Sequence, residues 1–147
     1  MKDAFGGTFM LRVLIVFFVI YISIMTVAIG FSKAFRVKNN VVNILENPTY
    51  QNDDVSKCKA GDTGNDICGT IDKYLSSVSY NYTNNDTLIK KCADADGIYI
   101  SRGICISEIV SNDKKYYKVA SYFVISAPFF KIDITAPIKG ETKVINL

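Results

Sequence analysis

Val13–Phe31 reads VLIVFFVIYISIMTVAIGF, 19 residues without a charge. As an α-helix rising 1.5 Å per residue, such a run covers about 28 Å, close to the hydrocarbon core of a bilayer. Arg12 bounds it on one side, and Lys33, Arg36 and Lys38 follow on the other. A cleaved signal peptide also has a basic start and an apolar centre, but its apolar region spans about 7–15 residues and ends at a small-x-small site. Here the run is longer and passes into Ser32-Lys33-Ala34-Phe35-Arg36 without a break. A retained transmembrane helix over 13–31 is therefore expected, ahead of a cleaved signal or a buried core helix.

Beyond the membrane the helical pattern persists. Ala34, Val37, Val41, Ile44 and Leu45 recur at i, i+3, i+7, i+10 and i+11, one stripe of a helix. The pattern stops at Asn47-Pro48, because the residue before a proline is biased out of the helical region. A rod from about Phe9 to Glu46 would be ~55 Å long. Residues 1–12 read as a short leader or cytoplasmic segment, 13–31 as the membrane helix and 32–46 as a stalk. The stalk's stripe, Val37, Val41, Ile44 and Leu45, needs a cover, and the strands downstream are expected to supply it.

Residues 47–147 read as a small extracytoplasmic head. The stretch 49–66 is polar and turn-rich, hence a loop. Ile71, Tyr74, Leu75 and Val78 mark a short amphipathic helix, 81–87 a second loop, and Leu88–Cys92 a brief helical turn. After Gly97 come GIYIS, ICISEIVS, YYKVASYFVIS and FFKIDITAPI, rich in Ile, Val, Tyr and Phe with partial alternation. Ser111–Lys115 and Lys139-Gly140-Glu141 read as turns, Ala127-Pro128 as a break, and Ile132 and Ile134 as one face of the last long strand. The expected fold class is α+β: a long N-terminal transmembrane helix extending into a stalk, with a small antiparallel sheet of three to five strands.

Composition narrows the function. The chain of 147 residues has room for one domain, and 49% hydrophobic content excludes a disordered tail. A net charge of +3 is too small to point to nucleic acid. With no histidine in the chain, Ser-His-Asp and Cys-His nucleophiles and imidazole metal sites are closed. The four cysteines, Cys58, Cys68, Cys92 and Cys105, all follow the membrane helix and contain no C-x-x-C pair. In a head with so little core they suggest two disulfides. Three pairings are open; Cys58–Cys68 with Cys92–Cys105 closes the shortest loops. The alternative is four reduced thiols in a cytoplasmic head.

Orientation signals conflict. The denser positive charge after the helix leans towards a cytoplasmic head, whereas the cysteines argue for an oxidising compartment. The charge margin is thin, so the reading follows the cysteines. Asp94-Ala95-Asp96-Gly97 carries part of a calcium loop, and Asp62 and Asp66 could face a cation, but acidic turn residues are mostly just solvated. Asn81-Tyr82-Thr83 and Asn85-Asp86-Thr87 match the N-glycosylation pattern, which has meaning only in a glycosylating pathway. The aromatic pairs Tyr116-Tyr117, Tyr122-Phe123 and Phe129-Phe130 read as packing. No cofactor, metal or small-molecule substrate is called for.

A short leader ending in Gly6-Gly7, then Thr8-Phe9-Met10, an apolar helix and the basic extension Ser32–Asn39 together resemble type IV pilin-like proteins. Within them they are most similar to the TadE-like, Flp-type pilus assembly pseudopilins. The resemblance covers residues 1–46. It implies leader cleavage between Gly7 and Thr8 and a role as a minor pilin or pseudopilin. Its partners would be the lipid bilayer and other pilin-like subunits or an assembly platform. The family's usual Glu at the fifth position after the cut is Arg12 here, either a membrane-edge anchor or a partner for an acidic residue of a neighbouring subunit. The expected location is the cell membrane, single-pass, with the C-terminal head outside. A single-pass surface-anchored binding or adhesion module is the alternative, and an enzyme the third class.

Overall fold

The computed structural model describes residues 2–50, 54–58, 64, 66–81, 85–111, 114–126 and 133–146. Asp62, Tyr82-Thr83, Asn112-Asp113, Ala127-Pro128, Phe129-Phe130 and Ile132 lie outside the described residues. So do the side chains of 2–6, 85, 126, 133, 145 and 146.

One helix, α1, runs from Lys2 to Leu45, 44 residues and so about 66 Å. It begins well before Phe9, because Gly6-Gly7 costs only about 1 kcal/mol per glycine and no proline intervenes. After a 3₁₀ turn at Pro48–Tyr50 and another at Val55–Lys57, α2 spans Ile67–Ser77. Asp66 caps its start by accepting from the Gly69 amide at 3.1 Å. At its end Ser79 takes a left-handed conformation (φ 50°), and the Tyr80 and Ser79 amides donate to the Leu75 and Ser76 carbonyls. A Cβ at Gly69 would run into the Gly64 carbonyl, so the loop presses directly on the helix.

The third helix, α3, spans Asn85–Ala93 and is longer than the turn read at Leu88–Cys92. Asp86 in its first turn and Lys90 and Lys91 in its last suit the helix dipole, so the polar stretch read as loop starts a helix. Its C-terminus consumes the calcium-like fragment. Asp96 is left-handed (φ 51°) and the Gly97 amide donates to the Cys92 carbonyl at 2.8 Å. Asp94-Ala95-Asp96-Gly97 is a helix cap whose aspartates are exposed.

Four strands follow as an antiparallel meander: β1 Ile98–Ser101, β2 Ile104–Ser111, β3 Lys114–Ser126 and β4 Asp133–Glu141. A short β5, Ile145–Asn146, pairs with the start of β3 on the side that β4 occupies further along. Between β1 and β2 only Arg102 and Gly103 intervene, both with positive φ (49° and 93°), the geometry of a type I′ hairpin. Lys139-Gly140-Glu141 is not a turn. These residues pair with Ala120, Val119 and Lys118 inside the ladder, and the chain leaves it only at Thr142. Gly140 belongs in the strand because a Cβ there would meet the Lys38 stem at 2.8 Å. Pro137 is tolerated because β4 is an edge strand.

The sheet is covered on both faces. On one, α1 and α2 bury Ile100, Ile104, Ile106, Tyr117, Val119, Phe123 and Ile138 together with Ala34, Val37, Val41 and Leu45. On the other, α3 buries Leu88 and Cys92 against Tyr99 and Cys105. The pairs Tyr116-Tyr117 and Tyr122-Phe123 split between the faces: Tyr117 and Phe123 enter the helix-side core, while Tyr116 and Tyr122 are half-buried. Ile134, read on the apolar face of the last long strand, is 54% exposed because it lies beyond the buried part of the ladder.

Two disulfides join Cys58 to Cys68 and Cys92 to Cys105, with Cα separations of 5.7 and 5.8 Å, in the ordinary range. The first ties the 49–66 loop to α2, and the second staples α3 to β2.

Candidate functional site

The helix α1 divides into two halves with different surroundings. Along Gly7–Leu45 it is long and apolar enough to cross a membrane, and its most apolar stretch has no share buried in the protein. Phe17, Phe18, Ile24 and Ile29 stand open at 67, 55, 63 and 68%. Water does not tolerate such a contiguous apolar sheath on a soluble surface.

Above Phe31 the same helix becomes a core element. Ala34, Val37, Val41 and Leu45 are at most 2% exposed. Ile44, read as part of the same stripe, is only half-buried at the cluster's margin. The chain's own head therefore covers the stalk. The head-facing side continues downward as Gly30, Val27, Ser23 and Val19, each half-buried among exposed neighbours.

The junction between the halves is aromatic and basic. Phe31 meets Phe123 edge-on at 6.2 Å and stacks with Phe35 at 6.4 Å. Gly30 leaves room there, since a Cβ would already sit 3.4 Å from the Phe123 ring. Lys38 lies over the Phe35 ring at 4.5 Å. Lys33 donates to the Ser79 carbonyl at 3.1 Å, tying the stalk to the end of α2. Two shallow clefts share Lys33 and Arg36. One, of about 390 Å³, continues down past Met25, Ala28 and Ile29; the other, of about 480 Å³, rises past Asn40, Tyr74 and Val78.

Gly7 and Thr8 lie within α1, and a Cβ at Gly7 would meet nothing within 4 Å. Arg12 is exposed on the helix. By helix rise alone, the leader junction thus stands about 34 Å, and Arg12 about 27 Å, below the level where Gly30 meets Phe123.

Polar groups in the head hold the fold together. The Tyr80 hydroxyl donates to the Tyr122 carbonyl at 2.6 Å and shares a 2.9 Å bond with the Ser121 hydroxyl. Burial raises its pKa above the ordinary tyrosine value, against the opposing Ser121 bond. At the far end of the core Lys115 pairs with Glu108 at 3.0 Å and lies over the Tyr117 ring at 5.1 Å. Burial opposes the Lys115 ammonium most, but hydrogen bonds to Tyr117 and Glu108 outweigh it and raise its pKa. Burial likewise raises Tyr117. Among the described residues no three His, Cys, Asp or Glu side chains converge as metal ligands.

No protein family, curated protein or solved structure matches the chain.

Proposed function

We propose that the chain is a non-catalytic, membrane-anchored, pilin-like subunit of a pilus or secretion pseudopilus. The observation that carries this reading is the division of α1. A single 44-residue helix is bare and apolar below Phe31, yet forms the spine of a disulfide-stapled head above it. A rigid continuation from membrane to core lets subunits be drawn from the bilayer by their helices without unfolding the head. An adhesion module needs only a tether, and a flexible one serves as well. The Gly6-Gly7 leader motif and the basic extension above the span favour the same assignment.

In this reading the head lies outside the cell membrane, the bilayer holds the unassembled subunit, and the bare helix face meets neighbouring helices after assembly. The test is N-terminal sequencing of membrane-extracted protein, combined with recovery in mechanically sheared surface fibres. The expected result is a start at Thr8 and co-purification with a second pilin-like chain. An intact Met1 on a protein found only as a membrane-bound monomer would overturn the reading in favour of a solitary anchored binding module.

A further inference from the structure

We propose that the membrane-proximal end of the β3–β4 ladder is a second membrane contact, resting in the headgroup–acyl boundary of the outer leaflet beside α1. This rests on the reading of α1 as membrane-spanning and adds a contact which that reading does not require.

The argument begins with levels along the helix axis. Gly140 faces Lys38, and Phe123, paired with Ala136, faces Gly30 and Phe31. From Gly140 to Ala136 the strand covers about 13 Å, and from Lys38 to Gly30 the helix covers about 12 Å. The two therefore run side by side, with β4 parallel to α1. Continuing down, Ile134 lies two residues beyond Ala136, about 7 Å lower, which is the level of Val27 or Thr26. That level is inside the uncharged run Val13–Phe31. A bilayer that covers the helix there also reaches the end of the sheet.

The side chains at this end suit lipid. Ile125 and Ile134 are paired on the helix-side face, which is apolar, and on the other face Val124 is paired with Thr135, an apolar side chain beside a small polar one. Ile134 is 54% and Val124 37% exposed, beside Phe31 at 52%. Exposure alone does not select the place. Val144 is equally open at 54%, but it adjoins β5 at the opposite end of the sheet. Continuity with the bare span distinguishes the two ends.

The charges set the depth. Lys33, Arg36 and Lys38 begin just above Phe31, where headgroup phosphates would lie. The ladder end therefore settles in the boundary layer, where amphipathic elements bury their apolar surface, and does not go deep. Together the helix and the ladder end hold the head at two points, limiting its tilt relative to the membrane plane.

The chain contains no tryptophan, so single substitutions give unambiguous fluorescence reporters. Full-length Ile134→Trp, Val124→Trp, Ile15→Trp and Val144→Trp, reconstituted in phosphatidylcholine vesicles, are compared with and without brominated acyl chains. Ile134→Trp and Val124→Trp should be blue-shifted and lose emission to bromines near the carbonyl end, Ile15→Trp should be quenched by deeper bromines, and Val144→Trp should be unaffected. If Ile15→Trp is quenched and Ile134→Trp matches Val144→Trp, the ladder end is in water and the proposal is wrong. A blue-shifted but unquenched Ile134→Trp means that a second copy covers the site, which also overturns it. An unquenched Ile15→Trp refutes the membrane-spanning reading itself, and the proposal with it.

Discussion

Val41 lies at the centre of the stalk stripe and is fully buried. Truncating it to alanine measures how firmly the head holds its spine. The change removes two carbons, about 1.6 kcal/mol of transfer free energy at ~0.8 kcal/mol per methylene. The vacated space adds to this, because the helix is held by the sheet on one side and α2 on another and can collapse only partly. A loss of about 2–3 kcal/mol follows. For a head of roughly 100 residues this lowers Tm by about 10–20 °C. Ile44, about 60° around the helix from Val41 and only half-buried, should lose less on truncation to alanine, although its side chain is larger. Asn43, exposed on the far side, should change stability by no more than about 0.5 kcal/mol as Asn43→Ala. The assay is thermal unfolding of the full chain in detergent micelles under non-reducing conditions, followed by near-ultraviolet circular dichroism of the head tyrosines. If Val41→Ala melts within about 2 °C of wild type, a shift worth less than 0.5 kcal/mol, the stripe is not held by the chain's own head and the packing argument fails.

Reduction of the two disulfides, which close loops with sequence separations of 10 and 13, should cost about 3 kcal/mol each, visible as a large Tm drop on adding reductant; an unchanged Tm would refute a stabilising role. On intact cells, an impermeant maleimide should label Cys58, Cys68, Cys92 and Cys105 only after reduction; labelling that requires lysis would put the head inside. Burial raises Tyr80 and Tyr117 and their partners raise Lys115, so the folded head keeps these protons at a pH where the unfolded chain releases them. Stability is therefore intact below about pH 10 and falls as pH rises beyond it, and tyrosinate absorbance should show these two tyrosines titrating late until the head unfolds. Arg12→Glu should insert in the membrane normally but fail to enter fibres if Arg12 pairs with a neighbour's carboxylate; normal assembly of both Arg12→Glu and Arg12→Ala would leave it a membrane-edge anchor.

The long apolar helix was legible because it depends on one quantity, the length of uncharged chain, and Val13–Phe31 runs 19 residues without a charge. The strands were legible for a related reason: Ile, Val, Tyr and Phe between Gly97 and Glu141 have few other conformations open to them. Misreadings came where a residue's meaning depends on what lies across from it. Gly140 looks like a turn former until Lys38 is seen against it. The Arg102-Gly103 hairpin went unread because its first residue is not the usual Asn or Asp, and Arg102 adopts φ 49° only under the pull of the paired strands. Periodicity also could not rank Ile44 against Leu45, because both fall within the stripe's width and only the sheet's position decides which is covered.

That position follows from the helix itself. The face bearing Val19, Ser23, Val27, Gly30, Ala34, Val37, Val41 and Leu45 keeps spacings of three and four across the junction, so the sheet sees one unbroken surface. The rest of the helix changes. Below Phe31 it is apolar on every side, and above it the outward face turns polar and basic with Lys33, Arg36, Asn39, Asn40 and Asn43. A helix apolar all round can be satisfied only by lipid or other helices, and one with a single stripe only by a fold of its own. The chain writes both instructions on one rod and shifts between them within about one turn, at the Phe31–Phe123 contact. The bare apolar stretch and the head's position are therefore one structural decision: any substitution that moves Phe123 along the helix also moves the head relative to that stretch.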